Sequence, residues 1–347
     1  MTRIVHIREI ALGGGRPVVI QSMTNTDTAD AAATLTQIRA LAAAGCELVR
    51  VTVNTPEAAE TVKILAAESP LPLVADIHFD HRLALAAIKN GIHKLRINPG
   101  NIGADEKVRE VARAAKDAGI PIRIGVNGGS LEKHILERHG GVTPEAMVES
   151  ARYHADLLEK FGFSDIVVSL KSSHITTMIA AYRQMAKVCD YPLHLGVTEA
   201  GTMFQGSIKS AIGIGALLAD GIGDTIRVSL TEDPVEEIKV AREILKTLGL
   251  RQDGPEIVSC PTCGRTEIDL IGLAKAVEKE FAHEKKPVRI AVMGCVVNGP
   301  GEAREADYGV AGGKGVGVLF RKGEIVKKVD EKDILPELKK LIAEHNC

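Results

Sequence analysis

Three cysteines stand where sulfur chemistry would need them. Cys260-Pro261-Thr262-Cys263-Gly264 places two thiols at C-x-x-C spacing on one turn, and Cys295 follows within Met293-Gly294-Cys295-Val296-Val297-Asn298-Gly299-Pro300-Gly301-Glu302. Such a turn lets two thiolates grip one metal ion or one cluster edge while backbone N–H groups point at the sulfurs. A structural zinc knuckle, an iron–sulfur cluster and a redox dithiol all fit the pattern. A zinc ribbon would want a second C-x-x-C, and only a single Cys follows. The sulfur count lacks a fourth ligand, because Cys46 and Cys189 read as small buried hydrophobes and Cys347 is the last residue. An oxygen ligand such as Glu302 would leave one position exchangeable, which a reacting centre needs and a closed structural one does not.

A second set of residues is cationic. Leu48-Val49-Arg50-Val51, Lys94-Leu95-Arg96-Ile97, Pro121-Ile122-Arg123-Ile124 and Thr225-Ile226-Arg227-Val228 each carry an Arg with apolar residues on both sides. Side chains alternate faces along a strand, so if the neighbours pack under helices, each Arg turns to the opposite, inner face. Lys171, ending Ser169-Leu170-Lys171, adds another cation. For any one Arg, an internal salt bridge with Asp76 or Glu199 is the plain reading. Cations on five strands exceed those acids, and buried guanidiniums without an anion are costly. Arg forks match phosphate oxygens, so a doubly phosphorylated or diphosphate ligand is expected. Polar residues gather at the ends of the same runs: Gln21, Asn54, Asp76, His78, Asn98, Asn127, Thr198, Glu199 and Ser229. Glu199, beside Thr198, is the general-acid candidate, set against a salt-bridge role; His78 and His174 read as structural hydrogen-bonders. Gly312-Gly313-Lys314-Gly315-Val316-Gly317 lacks Walker spacing and reads as a turn into a strand.

The elements that must position these residues alternate. Apolar runs at 18–23, 48–53, 73–77, 95–97, 122–126, 166–170, 193–197 and 225–230 are separated by helical patterns such as 31–44, 57–67, 107–118, 144–160, 178–188 and 234–248. Asp30 is suited to cap the first helix, and Gly45, Gly91 and Gly119 read as stops. About eight such units in roughly 250 residues match an α/β fold closed as a (β/α)₈ barrel, with polar strand ends at its carboxy-terminal rim. An open doubly wound sheet is the alternative. After Arg251-Gln252-Asp253-Gly254-Pro255 the alternation stops. Runs at 256–259, 288–293 and 315–320 with helices at 267–280 and 334–344 predict a small α+β domain. The expected division is 1–253 for a barrel that binds substrate and 254–347 for a cluster domain.

Composition removes several function classes. The 347 residues carry a formal net charge of −2 and only 3% aromatic residues, with no Trp, which speaks against nucleic-acid surfaces. No apolar run reaches membrane length, and Met1–Gly15 lacks the apolar core of a signal peptide, so a cytoplasmic location with reduced thiols is expected.

The segments VIQSMTNTDTAD, ADIHFD, LRINPGNIG, IRIGVNGGSL, SLKSS, GVTEAG, IRVSLTEDP, SCPTCGR and MGCVVNGPGEAREADYG together resemble the bacterial 4-hydroxy-3-methylbut-2-enyl diphosphate synthase family, essentially end to end. Some relatives carry an extra domain between barrel and cluster domain, for which Arg251–Pro255 leaves no room. The resemblance implies a [4Fe–4S] cluster on Cys260, Cys263, Cys295 and Glu302. It implies reductive ring opening and dehydration of 2-C-methyl-D-erythritol 2,4-cyclodiphosphate in the non-mevalonate isoprenoid pathway, with electrons from flavodoxin or ferredoxin. By the same resemblance Arg50, Arg96, Arg123, Lys171, Arg227 and Ser229 bind the diphosphate. Asn127, Thr198 and Glu199 lie near the reacting carbons, with Glu199 as proton donor and Glu302 as the exchangeable ligand. A pterin-binding-type barrel enzyme with a structural zinc site, and an iron–sulfur carrier, are the competing readings.

Chain geometry adds an expectation about assembly. The last barrel helix ends opposite the mouth, and a five-residue linker spans at most about 18 Å. A helix of roughly 14 residues is already about 21 Å long. The cluster domain is therefore expected to serve the barrel of a second copy, in a head-to-tail homodimer.

Overall fold

The computed structural model describes residues 1–103, 105–252, 254–282, 284, 286–296 and 304–345. Two compact units divide at Met1–Arg251 and Gln252–Cys347.

The first unit opens with an antiparallel hairpin, β1 (Val5–Ile7) and β2 (Ile10–Leu12). Eight strands follow: β3 (Val19–Met23), β4 (Leu48–Thr52), β5 (Leu73–Asp76), β6 (Lys94–Ile97), β7 (Ile122–Asn127), β8 (Ile166–Lys171), β9 (His194–Leu195) and β10 (Thr225–Ile226). They pair in the order β8-β7-β6-β5-β4-β3-β10-β9, and a parallel bridge from Val168 to Leu193 brings β9 back to β8. The sheet is therefore a barrel, and the open doubly wound alternative is set aside. The last two strands are shorter than their apolar runs, and their upper ends approach closely. A Cβ at Gly196 would stand 2.9 Å from the carbonyl oxygen of Arg227.

Helices cover the barrel at Ala31–Ala44, Pro56–Glu68, His81–Lys89, Asp105–Ala118, Pro144–Lys160, Ile175–Val188, Met203–Ala219 and Pro234–Thr247. Local chemistry sets their ends. Asp30 accepts a hydrogen bond from the Ala33 N–H, and Gly45 stops the same helix in the left-handed region at φ 100°. In Asp105–Ala118 the buried residues Val108, Val111, Ala112 and Ala115 form one helical stripe. These stripes and the outward faces of the strands make one continuous aliphatic core. A separate apolar cluster joins Val5, Ile7 and Leu12 of the hairpin to Val19, Leu48, Val74 and Val167 near the strand starts. The hairpin thus stoppers the amino-terminal end of the barrel.

The second unit is a sheet of β11 (Pro255–Ser259), β12 (Val288–Met293), β13 (Tyr308–Gly313), β14 (Val316–Arg321) and β15 (Glu324–Asp330) in sequential order. The first three run parallel and the rest antiparallel. Helices Leu270–Phe281 and Ile334–His345 pack on it through Leu270, Val277, Phe281, Leu338 and Leu341. Asp269 caps the first by accepting from the Gly272 N–H at 3.0 Å, so that helix starts later than its sequence pattern predicts. Lys314 and Gly315 link Gly313 to its pairing partner Val316, making the glycine-rich motif a hairpin turn into a strand.

Candidate functional site

The inner face of the barrel follows from the stopper. Val19, Leu48, Val74 and Val167 touch the hairpin inside, so residues two further along each strand also face inward. That rule turns Gln21, Arg50, Asp76 and Ser169 toward the axis, and Lys171 with them one step higher. Register extends it: Val74 pairs with Lys94, Asp76 with Arg96, and Arg96 with Arg123.

Asp76 is the hub of the first group. It accepts from Arg96 Nη1 at 3.1 Å and from His78 Nε2 at 3.1 Å, and lies 3.8 Å from Arg50 Nε. Burial opposes its charge, but Arg50, the His78 hydrogen bond and Arg96 outweigh burial and hold the carboxyl well below its usual range. Arg50 is drawn down to about 10 by burial, which Asp76 relieves and the neighbouring Arg227 and Arg96 worsen. Its Nε and Nη2 also lie 3.1 and 2.9 Å from Met23 Sδ. Arg123 is completely buried, donating from Nη1 to Ser169 Oγ at 2.8 Å, and burial with Arg50 and Arg96 nearby pushes its pKa down. Lys171 is pushed down first by burial and then by Arg50, Arg123, Arg227 and Arg96. The sequence-derived cations therefore sit within one another's fields.

Arg227 is held differently from the sequence expectation. Its partner is neither Asp76 nor Glu199 but Glu237, on the helix Pro234–Thr247, at 3.0 Å. Two interior residues escaped sequence reasoning. Lys94 is fully buried, its Nζ has no hydrogen-bond partner, and burial with Arg123 nearby lowers its pKa strongly. His194 is equally buried, with its pKa pushed well down by burial and then Arg123, Lys171 and Lys94. The period-two signal for Lys94 was present, since it stands two residues before Arg96 on the same strand.

The other candidates lie at the strand ends. Asn127 ends β7 and pairs in register with Lys171. Thr198 and Ser229 are half-buried beyond β9 and β10. Glu199 is exposed and adopts φ 54°, a left-handed conformation that a non-glycine residue reaches only against strain. Arg8 and Lys322 share this conformation, but in hairpin turns, whereas Glu199 stands in the segment after β9.

In the second unit the cysteines gather at one end of the sheet. Cys260 directly follows β11 and accepts a hydrogen bond from the Gly294 N–H at 3.2 Å, while Cys295 follows β12, the parallel neighbour. Cys263 is exposed, and the backbone N–H of Arg265 lowers its thiol pKa. Among the described residues these thiols are unbridged, and no three His, Cys, Asp or Glu side chains converge on one point. An N–H aimed at one sulfur and a second thiol biased toward thiolate suit ligands of a metal ion or an iron–sulfur group. Glu302 lies outside the described residues, as do Cys347 and Asp253. Cys46 is buried, with its thiol pushed up to about 12 by burial, as a packing residue would be. Among the described residues no helix is long and apolar enough to cross a membrane.

Solved structures share the barrel. Dihydropteroate synthase of Yersinia pestis covers 72% of this chain and 98% of its own at 12% identity and TM-score 0.52. The 3-dehydroquinate dehydratase of Geobacillus kaustophilus covers 71% and 99% at 14% identity and TM-score 0.51. At those identities the likeness is one of fold alone. Sequence relatives reach much further. The enzyme of Fusobacterium nucleatum named 4-hydroxy-3-methylbut-2-en-1-yl diphosphate synthase (flavodoxin) is 66% identical over 99% of this chain and 97% of its own. The protein of the same name from Clostridium perfringens is 60% identical over 98% of each. The family model described as the GcpE TIM-barrel domain matches residues 2–242, and that of the GcpE protein C-terminal domain matches residues 256–344. With both halves matched and relatives this near over its whole length, the chain belongs to the GcpE family.

Proposed function

We propose that this chain carries out the reductive ring opening and dehydration of 2-C-methyl-D-erythritol 2,4-cyclodiphosphate to 4-hydroxy-3-methylbut-2-enyl diphosphate, a step of the non-mevalonate isoprenoid pathway in the cytoplasm. The observation that carries the reading is the ring of Arg50, Arg96, Arg123, Lys171 and Arg227, buried or nearly so, with Asp76 and Glu237 as its acidic partners. An excess of buried positive charge calls for a polyanion. These residues and Ser229 would hold the diphosphate, and Asn127 and Thr198 would border the reacting carbons. The reaction consumes two electrons and two protons and releases one water. Glu199, exposed at the rim, would protonate the departing hydroxyl.

Cys260, Cys263, Cys295 and Glu302 would hold a [4Fe–4S] cluster, which when bound supplies the electrons one at a time. Flavodoxin, or ferredoxin in its place, would be the donor, in keeping with the name of the relatives. The short linker supports a head-to-tail homodimer, testable by mixing Cys295→Ser with Lys171→Ala protomers; recovered activity is expected, and none at all would count against it. The decisive experiment is anaerobic purification with iron, sulfide and zinc analysis, followed by turnover of the cyclic diphosphate with a reduced donor. A brown, active protein is expected; a colourless protein with one tight zinc per chain would refute the reading.

A further inference from the structure

Glu237 has no place among the motif-matched residues, yet four hydrogen bonds converge on its buried carboxylate. It is 3% exposed. It accepts from Ser22 Oγ at 3.0 Å, Arg227 Nε at 3.3 Å, Arg227 Nη2 at 3.0 Å and the Leu230 backbone N–H at 3.0 Å. Its partners come from β3, from the residue after β10 and from the loop beyond, and Glu237 itself sits in the first turn of the helix that returns over them.

A buried ion pair is a poor device for stability, since desolvation cancels much of its attraction. It is a good device for aiming a guanidinium. Glu237 occupies Nε and Nη2 together, a bidentate pairing that fixes the plane of the fork. Nη1 is left uncommitted among the described residues. The bond to Leu230 N–H ties down the residue after Ser229 with the same carboxylate. We propose that Glu237 is a positioning residue of the diphosphate site, fixing Arg227 so that Nη1 meets a phosphate oxygen and holding the Ser229 segment beside it. Asp76, by contrast, meets Arg96 through one hydrogen bond at 3.1 Å and lies 3.8 Å from Arg50, so among the described residues the two-point grip is particular to Glu237 and Arg227. The inference rests on the diphosphate reading of the barrel.

Calorimetric titration of the full chain with inorganic diphosphate tests it without turnover. Wild type should bind, and Glu237→Gln should weaken binding by roughly tenfold, the low end of what losing an orienting partner costs at metal sites. In an Arg227→Ala background the same Gln change should cost less than about twofold, because residues acting as one unit are not additive. Glu237→Asp, which keeps the charge but shortens the reach, should also weaken binding, and serves if the Gln variant does not fold. Additive losses in the double variant, or unchanged affinity in both single variants, would overturn the assignment of Glu237 alone. A wild-type chain that binds no diphosphate would overturn the diphosphate reading and this inference with it.

Discussion

Replacing Lys94 with Met should make the barrel more stable. Lys94 is completely buried, its Nζ lacks a hydrogen-bond partner, and the charge that acts on it is the like-charged Arg123. Met has a similar length and no amine to desolvate. An unsatisfied buried amine costs about 1–3 kcal/mol at any pH. A second cost depends on pH. Burial, and then Arg123, push the folded-state pKa far down, while the unfolded lysine stays near about 10.4. Between those values the unfolded chain binds more protons, so wild-type stability rises as pH rises toward about 10.4. Each unit inside that window is worth about 1.4 kcal/mol. Lys94→Met removes that slope, so its advantage should shrink steadily as pH rises toward about 10.4, by at most about 1.4 kcal/mol per unit. Thermal unfolding followed by circular dichroism at several pH values measures it, with roughly 2–4 °C expected per kcal/mol for a unit of this size. A variant less stable than wild type, or an advantage that does not change with pH, would refute the argument.

Other perturbations probe the same barrel and the cysteines. Gly125→Ala would place a Cβ 2.4 Å from Arg96 Nε and 2.6 Å from Nη2, displacing the guanidinium; kcat/KM should fall by roughly ten- to a hundredfold with the fold intact by circular dichroism. Glu199→Gly relieves the left-handed strain and should raise stability by about 1 kcal/mol, while kcat drops on the order of a hundredfold if Glu199 delivers a proton; equal activity would remove Glu199 from the mechanism. Cys295→Ser should abolish the visible absorption and bound iron of anaerobically prepared protein without moving the melting of the barrel, and retained colour would take Cys295 out of the ligand set.

Period and composition revealed what is repeated, and missed what is single. Arg50, Arg96, Arg123 and Arg227 were legible because aliphatic neighbours on both sides leave only the inner face for a guanidinium. Lys94 obeys the same rule two residues before Arg96, but as the first residue of its segment it reads as a flanking surface charge. Glu237 gives no signal at all. In the first turn of a helix, Glu236 and Glu237 look alike as residues favourable to the helix dipole, and only the tertiary fold decides that one is buried and the other is not. Glu199 was singled out for its type and place, whereas its strained backbone is a property no residue type announces. In the second unit, β13 and β15 were not anticipated. Tyr308–Gly313 has few β-branched residues, and Glu324–Asp330 is an edge strand whose charges keep it from further pairing.

The hairpin β1–β2 gives the barrel a direction. With Val5, Ile7 and Leu12 pressed against the strand starts, the cylinder is blind at one end. Beneath the cations lies an apolar floor, which carries little of their field. What leaves does so through the mouth, where low-dielectric walls gather it into a narrow beam. An anion drifting past that opening meets a pull from one side only. A few apolar residues far from any chemistry thereby give the charged interior a single facing.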